Sequence, residues 1–254
     1  MNVLLLLAII LFVLMIFIGG KKGIRSFFSL FLNFAVIVLT ILFMLDPHIN
    51  PVIITLIACV LISYINLLFV NQINSKTIIA FISTIVTIVI LLLFINFITE
   101  ITMIQGFGVE ESEELAVFSL YVGVDFVKIA ASVIIMSTIG AIMDVSISIT
   151  TSVNEIFHHN RSLQKKDLFL SGLNIGRDIL GTDTNTLFFA FFGSYLGLLI
   201  WVKDLSYSYG EIINSKIFST EIVTILCAGI GIALIIPITS WISASYLVKT
   251  KQKS

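Results

Sequence analysis

Hydrophobic residues run along this chain in long unbroken blocks, separated by short polar breaks. The blocks cover Val3 to Ile18, Phe27 to Leu45, Val52 to Val70, Ile78 to Ile98, Ile129 to Thr150, Thr184 to Val202 and Glu221 to Val248. A helix needs about 17 to 25 apolar residues to cross hydrocarbon, and the blocks match that length, the first being near its minimum. Strands of a membrane barrel would instead alternate apolar and polar positions over about ten residues. The pattern therefore predicts an all-α, polytopic helical membrane protein with about seven transmembrane helices. No Pro/Gly/Ser-rich linker divides the chain, so residues 1–254 read as a single transmembrane bundle.

Composition agrees. The chain is 58% hydrophobic and 11% charged, with a mean hydropathy of +1.13, whereas a soluble domain carries about 25% charged residues. The implied surroundings are a lipid bilayer. With a net charge of −1 and no basic patch apart from the membrane flanks, nothing points to nucleic acid. Cys59 and Cys227 lie inside apolar blocks and read as small hydrophobes.

Charge also orients the bundle. Lys21, Lys22 and Arg25 follow the first block and nothing basic precedes it. A cleaved signal peptide has the reverse order, so the first block is expected to be a retained helix with its N-terminus outside. Alternating the remaining breaks leaves Lys203 and Lys216 outside and Lys128 at the outer interface. Lys76, Arg161, Lys165, Lys166, Arg177 and the C-terminal lysines fall inside. Positive residues collect on the cytoplasmic side, so this asymmetry predicts N-terminus out and C-terminus in. The Asp46–Pro51 break reads as an outer hairpin. The stretch Thr99 to Ser119, with Glu110, Glu111, Glu113 and Glu114, reads as a solvated acidic loop.

Two blocks differ from the rest. The fifth carries GAIMDVSISITTSVNE (Gly140 to Glu155), in which Ser137, Gly140, Asp144, Ser148, Thr151 and Glu155 recur at steps of three or four. Such steps draw one continuous stripe along a helix, opposite an apolar face of Ile139, Ile142, Val145, Ile149 and Val153. A carboxylate at the depth of Asp144 costs about 2.5–3.5 kcal/mol on insertion scales. A partner cation, a proton or a water-filled cavity would offset that cost. Three placements fit: a clamp between helices, a place on an ion, proton or substrate path, or an exposed interfacial position.

The sixth block is entered through SGLNIGRDILGTDTNT (Ser171 to Thr186). Here Asp178, Thr182 and Asn185 share a face, and Arg177 is the nearest cation for Asp144. Asp183 and Thr184 read as N-cap residues of the membrane helix. Gly193 and Gly197 form a GxxxG spacing suited to close helix approach, and Gly140 and Gly181 are further candidates for packing. Asn154 and Glu155 close the polar stripe. Glu155 and His158 have a metal-like spacing, but without a second carboxylate–His pair they read as a juxtamembrane polar helix. There is no Walker loop, HExxH or GxSxG. No enzyme activity, cofactor or metal is expected.

The segments GAIMDVSISITTSVNE and GLNIGRDILGTDTNTLFFAFFGSYL closely resemble the YibE/F-like family of bacterial multi-pass membrane proteins, and the chain length resembles its shorter, YibF-type members. The signature region spans residues 120–201, with the resemblance strongest from Ser137 to Leu199. Asp144, Asn154, Glu155, Gly176, Arg177, Asp178, Gly181, Thr182, Thr184, Asn185 and Thr186 match the motif, and Asp183 departs from it. The resemblance implies a bacterial cytoplasmic membrane protein, accompanied by a YibE-like membrane partner or further copies of itself, and brings no catalytic activity. The reading that follows is a transporter or permease subunit of unknown substrate. The alternative is a non-transporting scaffold or assembly partner.

The topology has a direct test. An impermeant maleimide added outside intact cells is expected to modify Ser112→Cys and to spare Ser162→Cys. The opposite pattern would invert the span assignment.

Overall fold

The computed structural model describes residues 2–102, 104, 106, 125–204 and 208–251. Among these, all regular structure is helical. Glu110, Glu111, Glu113 and Glu114 of the expected acidic loop lie outside the described residues. The elements are α1 (Val3–Met44), α2 (Pro51–Ser63), α3 (Ser75–Thr102), α4 (Phe126–His159), α5 (Lys165–Asp204), α6 (Tyr209–Asn214) and α7 (Lys216–Lys251). A π-helical stretch, Tyr64–Phe69, continues α2.

α1 is two arms. At Gly20 the backbone takes φ 53° and ψ −131°, a left-handed conformation that glycine adopts without a Cβ clash. The chain then folds back on itself. Phe12 and Phe27 stack with ring centroids 4.6 Å apart, whereas a straight helix would separate them by about 22 Å. A Cβ on Gly23 would collide with the Met15 carbonyl, so only glycine fits that approach. Five helices are long and apolar enough to cross a membrane, α1 among them. Counting both arms of α1 and adding α5 reproduces the seven apolar blocks.

Local sequence sets the helix starts. Asn50 caps α2 through its side chain, with Pro51 in the first turn. Asp125 caps α4 by accepting from the Val127 and Lys128 N–H groups. Ser208 and Glu211 form a capping box that nucleates α6 in the expected outer loop.

The core is built on α7, which packs most extensively against α5 and α4, while α3 fills the angle between α4 and α7. Leu91, Ile95, Ile134, Ile142, Ile149, Ile232 and Ile235 are fully buried there. Ser146 ties three helices at one point: its Oγ donates to the Ala80 carbonyl at 3.0 Å and lies 3.3 Å from Thr239 Oγ1. α2 lies on α4, and α1 attaches through α2 and its π-helical extension, where Asn33 Nδ2 donates to Asn66 Oδ1 at 3.0 Å.

One expectation is overturned. α5 runs unbroken from Lys165, so Asp183 and Thr184 sit mid-helix and cap nothing. Thr184 Oγ1 instead donates to the Leu180 carbonyl, one turn back, at 2.7 Å. The polar run that resembled an entry loop is held helical because its other face packs. Leu168 is fully buried, a Cβ on Gly172 would press into Ser240, and one on Gly176 would collide with Ile236. Lys165 Nζ lies 5.0 Å from the Trp241 ring centroid, fastening the start of α5 to α7.

The glycines expected to mediate packing do not do so within the chain. At Gly140, Gly181, Gly193 and Gly197 an added Cβ would meet nothing within 4 Å. Gly172, Gly176 and Gly231 carry the close approaches instead. A Cβ on Gly231 would stand 3.0 Å from Ile142 Cδ1 and 3.1 Å from Leu91 Cδ2. Gly176→Leu is therefore expected to lower the melting temperature of the purified protein, at an overpacking cost of about 1–3 kcal/mol. Gly193→Leu should leave the isolated chain unchanged. Equal melting of the two variants would remove the α5–α7 contact from the account.

Candidate functional site

The stripe predicted on the fifth block exists on α4, and it faces outward. Ser137, Gly140, Asp144, Ser148, Thr151 and Glu155 are all exposed, while Ile139, Ile142, Val145, Ile149 and Val153 are buried behind them. Period 3.6 divided this helix as the sequence required.

Two grooves border the stripe. Towards the outer end, Ile37, Thr40, Ile41 and Met44 of α1 face Ser132, Val133, Met136 and Ser137 of α4 across a groove of about 570 Å³. Towards the inner end, Lys22, Asn71, Lys76 and Thr77 face Ser148, Thr151 and Ser152 across one of about 510 Å³. Asp144 lies between them on the same helical face. α1 thus stands beside the stripe without closing on it.

The expected Asp144–Arg177 ion pair is not formed. The described ion pairs are Lys76–Glu155 at 2.6 Å and Lys128–Asp125 at 3.0 Å. Arg177 Nη1 instead donates to Asn174 Oδ1, one turn back on its own helix, at 3.4 Å. Asp183 of α5 lies within electrostatic range of Asp144. With α5 unbroken from Lys165, Arg177 lies on the exposed polar face of that helix.

That exposed face carries Asn174, Arg177, Asp178, Gly181, Thr182 and Asn185, with Thr186 beside them. Thr184 is turned inward, within 3.5 Å of where a Cβ on Gly229 would stand. The depth of the face is set by α7. Gly176 packs at Ile236, about 22 Å along the helix from Lys251. Arg177 and Asp178 follow Gly176 directly and so share its place along α7.

At the inner end, Glu155 joins α4 to Lys76 of α3. The Lys76 ammonium holds the Glu155 carboxyl below the usual carboxylate range. A carboxylate so lowered lends stability above its unfolded pKa and loses it as pH falls through the folded value. At the outer end, the Lys128 hydrogen bond likewise holds Asp125 below that range. Among the described residues, no group of three or more His, Cys, Asp or Glu side chains could hold a metal ion.

Long apolar helices, a small-residue core and membrane-depth polar faces define a polytopic all-α membrane protein. The chain belongs to the YibE/F-like protein family, whose model matches residues 7–249. The match extends well beyond the segment that carried the resemblance in the sequence, reaching back into both arms of α1. No curated protein and no solved structure matches the chain.

The placement of Asp144 has a thermodynamic signature. Asp144→Asn and Arg177→Ala should change stability additively, within about 0.5 kcal/mol. Asp144→Asn and Asp183→Asn should depart from additivity, because the two carboxyls repel. Unfolding of the single and double variants in detergent reads both cycles, and the opposite pattern would restore the Asp144–Arg177 pair.

Proposed function

We propose that this protein is a permease subunit in which the polar stripe of α4 lines a path for a cation or a proton, with Asp144 as its midway carboxylate. The observation that carries this reading is the position of Asp144: exposed on the stripe between two grooves, with no basic partner among the described residues. A carboxylate at membrane depth with no basic partner calls for a cation or a proton to offset its cost. Ser137, Ser148 and Thr151 supply hydroxyl oxygens along the same face, a spacing suited to relaying a hydrated cation. α1, held only through α2 and its π-helical extension, is the wall of the path freest to move.

A second reading is favoured by α5. Its polar face and the Gly193–Gly197 surface are uncovered by the described residues, which suits docking of another membrane subunit, either a YibE-like partner or a second copy. On that reading the protein is a scaffold whose polar residues serve assembly.

The two readings separate in vesicles. The protein, purified together with whatever membrane subunits accompany it, is reconstituted and its proton and monovalent-cation fluxes are followed with entrapped dyes. Flux that is lost in Asp144→Asn while the subunits still co-purify supports the permease. Co-purification lost in Asp178→Asn, with wild-type vesicles as tight as Asp144→Asn vesicles, supports the scaffold and overturns the path.

A further inference from the structure

We infer that the end of the bundle formed by the start of α3 and the ends of α4 and α7 holds a binding site for a phosphate-bearing anion, beside the groove along α4 and sharing Lys76 with it. A hollow of about 450 Å³ opens there between the start of α3, the end of α4 and the end of α7. Lys76, Asn154, His158, Arg161 and Tyr246 line it.

Asn154 supplies the central observation. Its residue is 7% exposed and its side chain borders the hollow, yet the amide makes no hydrogen bond among the described residues. An amide that borders a cavity without a protein partner is free to pair with a ligand there. The other donors converge on the same space. Lys76 gives one of its hydrogen bonds to Glu155 and an ammonium has three to give. Arg161, exposed in the turn after α4, forms no ion pair among the described residues. The first turn of α3 also reaches the hollow at Ser75. Asn74 Oδ1 caps the Thr77 N–H, leaving the earlier first-turn N–H groups for an outside acceptor. A helix N-terminus with free N–H groups favours an anion.

Charge and shape narrow the ligand. Among the described residues no carboxylate lines the hollow, and the nearby Glu155 is engaged by Lys76. A forked guanidinium, an ammonium, an amide and backbone N–H groups surround an anion with several oxygens, which describes a phosphate better than a carboxylate. Phe157 and Leu247 form apolar wall beside these donors. Tyr246, exposed on α7 one turn beyond exposed Trp241, marks headgroup depth. Basic pockets between membrane helices at this level bind anionic headgroups. An anionic phospholipid and a soluble phosphate ester share the chemistry.

The full chain, purified in a neutral detergent, is titrated in two arms, with affinity read from thermal stabilisation and from native mass spectrometry. One arm uses phosphatidylglycerol in mixed micelles against phosphatidylcholine, and the other uses glycerol phosphate in solution. Stabilisation by phosphatidylglycerol alone assigns a lipid headgroup, and stabilisation by glycerol phosphate assigns a soluble ester. In either case Arg161→Gln and Asn154→Ala should weaken apparent binding about tenfold, the loss of one charge-assisted hydrogen bond. Lys249→Gln, outside the hollow on the same end of α7, should leave it unchanged. Arg161 is exposed in a turn, so its variant keeps the fold. No stabilisation in either arm, or an equal loss with Lys249→Gln, would overturn the site.

Discussion

In hydrocarbon there is no water to receive an unpaired peptide group, so each spanning segment must be a helix. Helices without a hydrophobic force between them associate by close packing. The bundle meets this constraint through α7. Gly231 admits Ile142 and Leu91, Ser240 and Ile236 receive Gly172 and Gly176, and Thr239 meets Ser146 beside the Ala80 carbonyl. These small or hydroxylated side chains let three helices approach one post. The arrangement of α3, α4 and α5 around α7 depends on them, and with it the position of every polar residue on the outer faces. Pro237 sits in the same stretch of α7, where its missing N–H breaks one helical hydrogen bond. The adjacent contacts of Ile236 with Gly176 and of Thr239 with Ser146 hold the helix in place across that break.

The consequence for chemistry is directional. Because the apolar face of α4 and the glycine face of α5 turn to α7, their polar faces turn outward. An outward polar face at membrane depth is costly against lipid, so these faces call for water, ions or another protein. Two arrangements answer that need at different places. Along α4, the neighbouring arm of α1 already leaves grooves beside the stripe. Along α5, no described element of this chain approaches Asn174, Asp178, Thr182 or Asn185. The same fold therefore supports a path on one helix and a docking face on the next.

The end that the charge pattern places inside follows different rules, because its polar side chains face one another around the hollow. There Lys76 and Glu155 pair between α3 and α4, while Arg161 and the Asn154 amide keep donors in hand. The ion pair fixes the ends of two helices relative to each other and so holds the hollow between them open. Exposed pairs of this kind contribute little to stability. Its role is geometric.

The sequence by itself determined the class, the spans and the amphipathic division of α4. Each rests on a local quantity: block length against bilayer thickness, and the 3.6-residue period that put Asp144, Ser148 and Thr151 on one side and Val145, Ile149 and Val153 on the other. It also carried the family, because the polar run from Gly140 to Thr186 is unlike the plain apolar blocks around it. Only the tertiary structure decided which helix meets which. A polar run such as Gly-Thr-Asp-Thr favours a cap in isolation, and packing of Leu168, Gly172 and Gly176 on α7 made it the middle of a helix. That continuity left Arg177 on the exposed face, unpaired with Asp144. Glycine spacing was equally ambiguous along the chain, since GxxxG records that a close approach is possible. Whether a partner stands there depends on the long-range contacts, which gave that role to Gly172, Gly176 and Gly231 and left Gly193 and Gly197 uncovered.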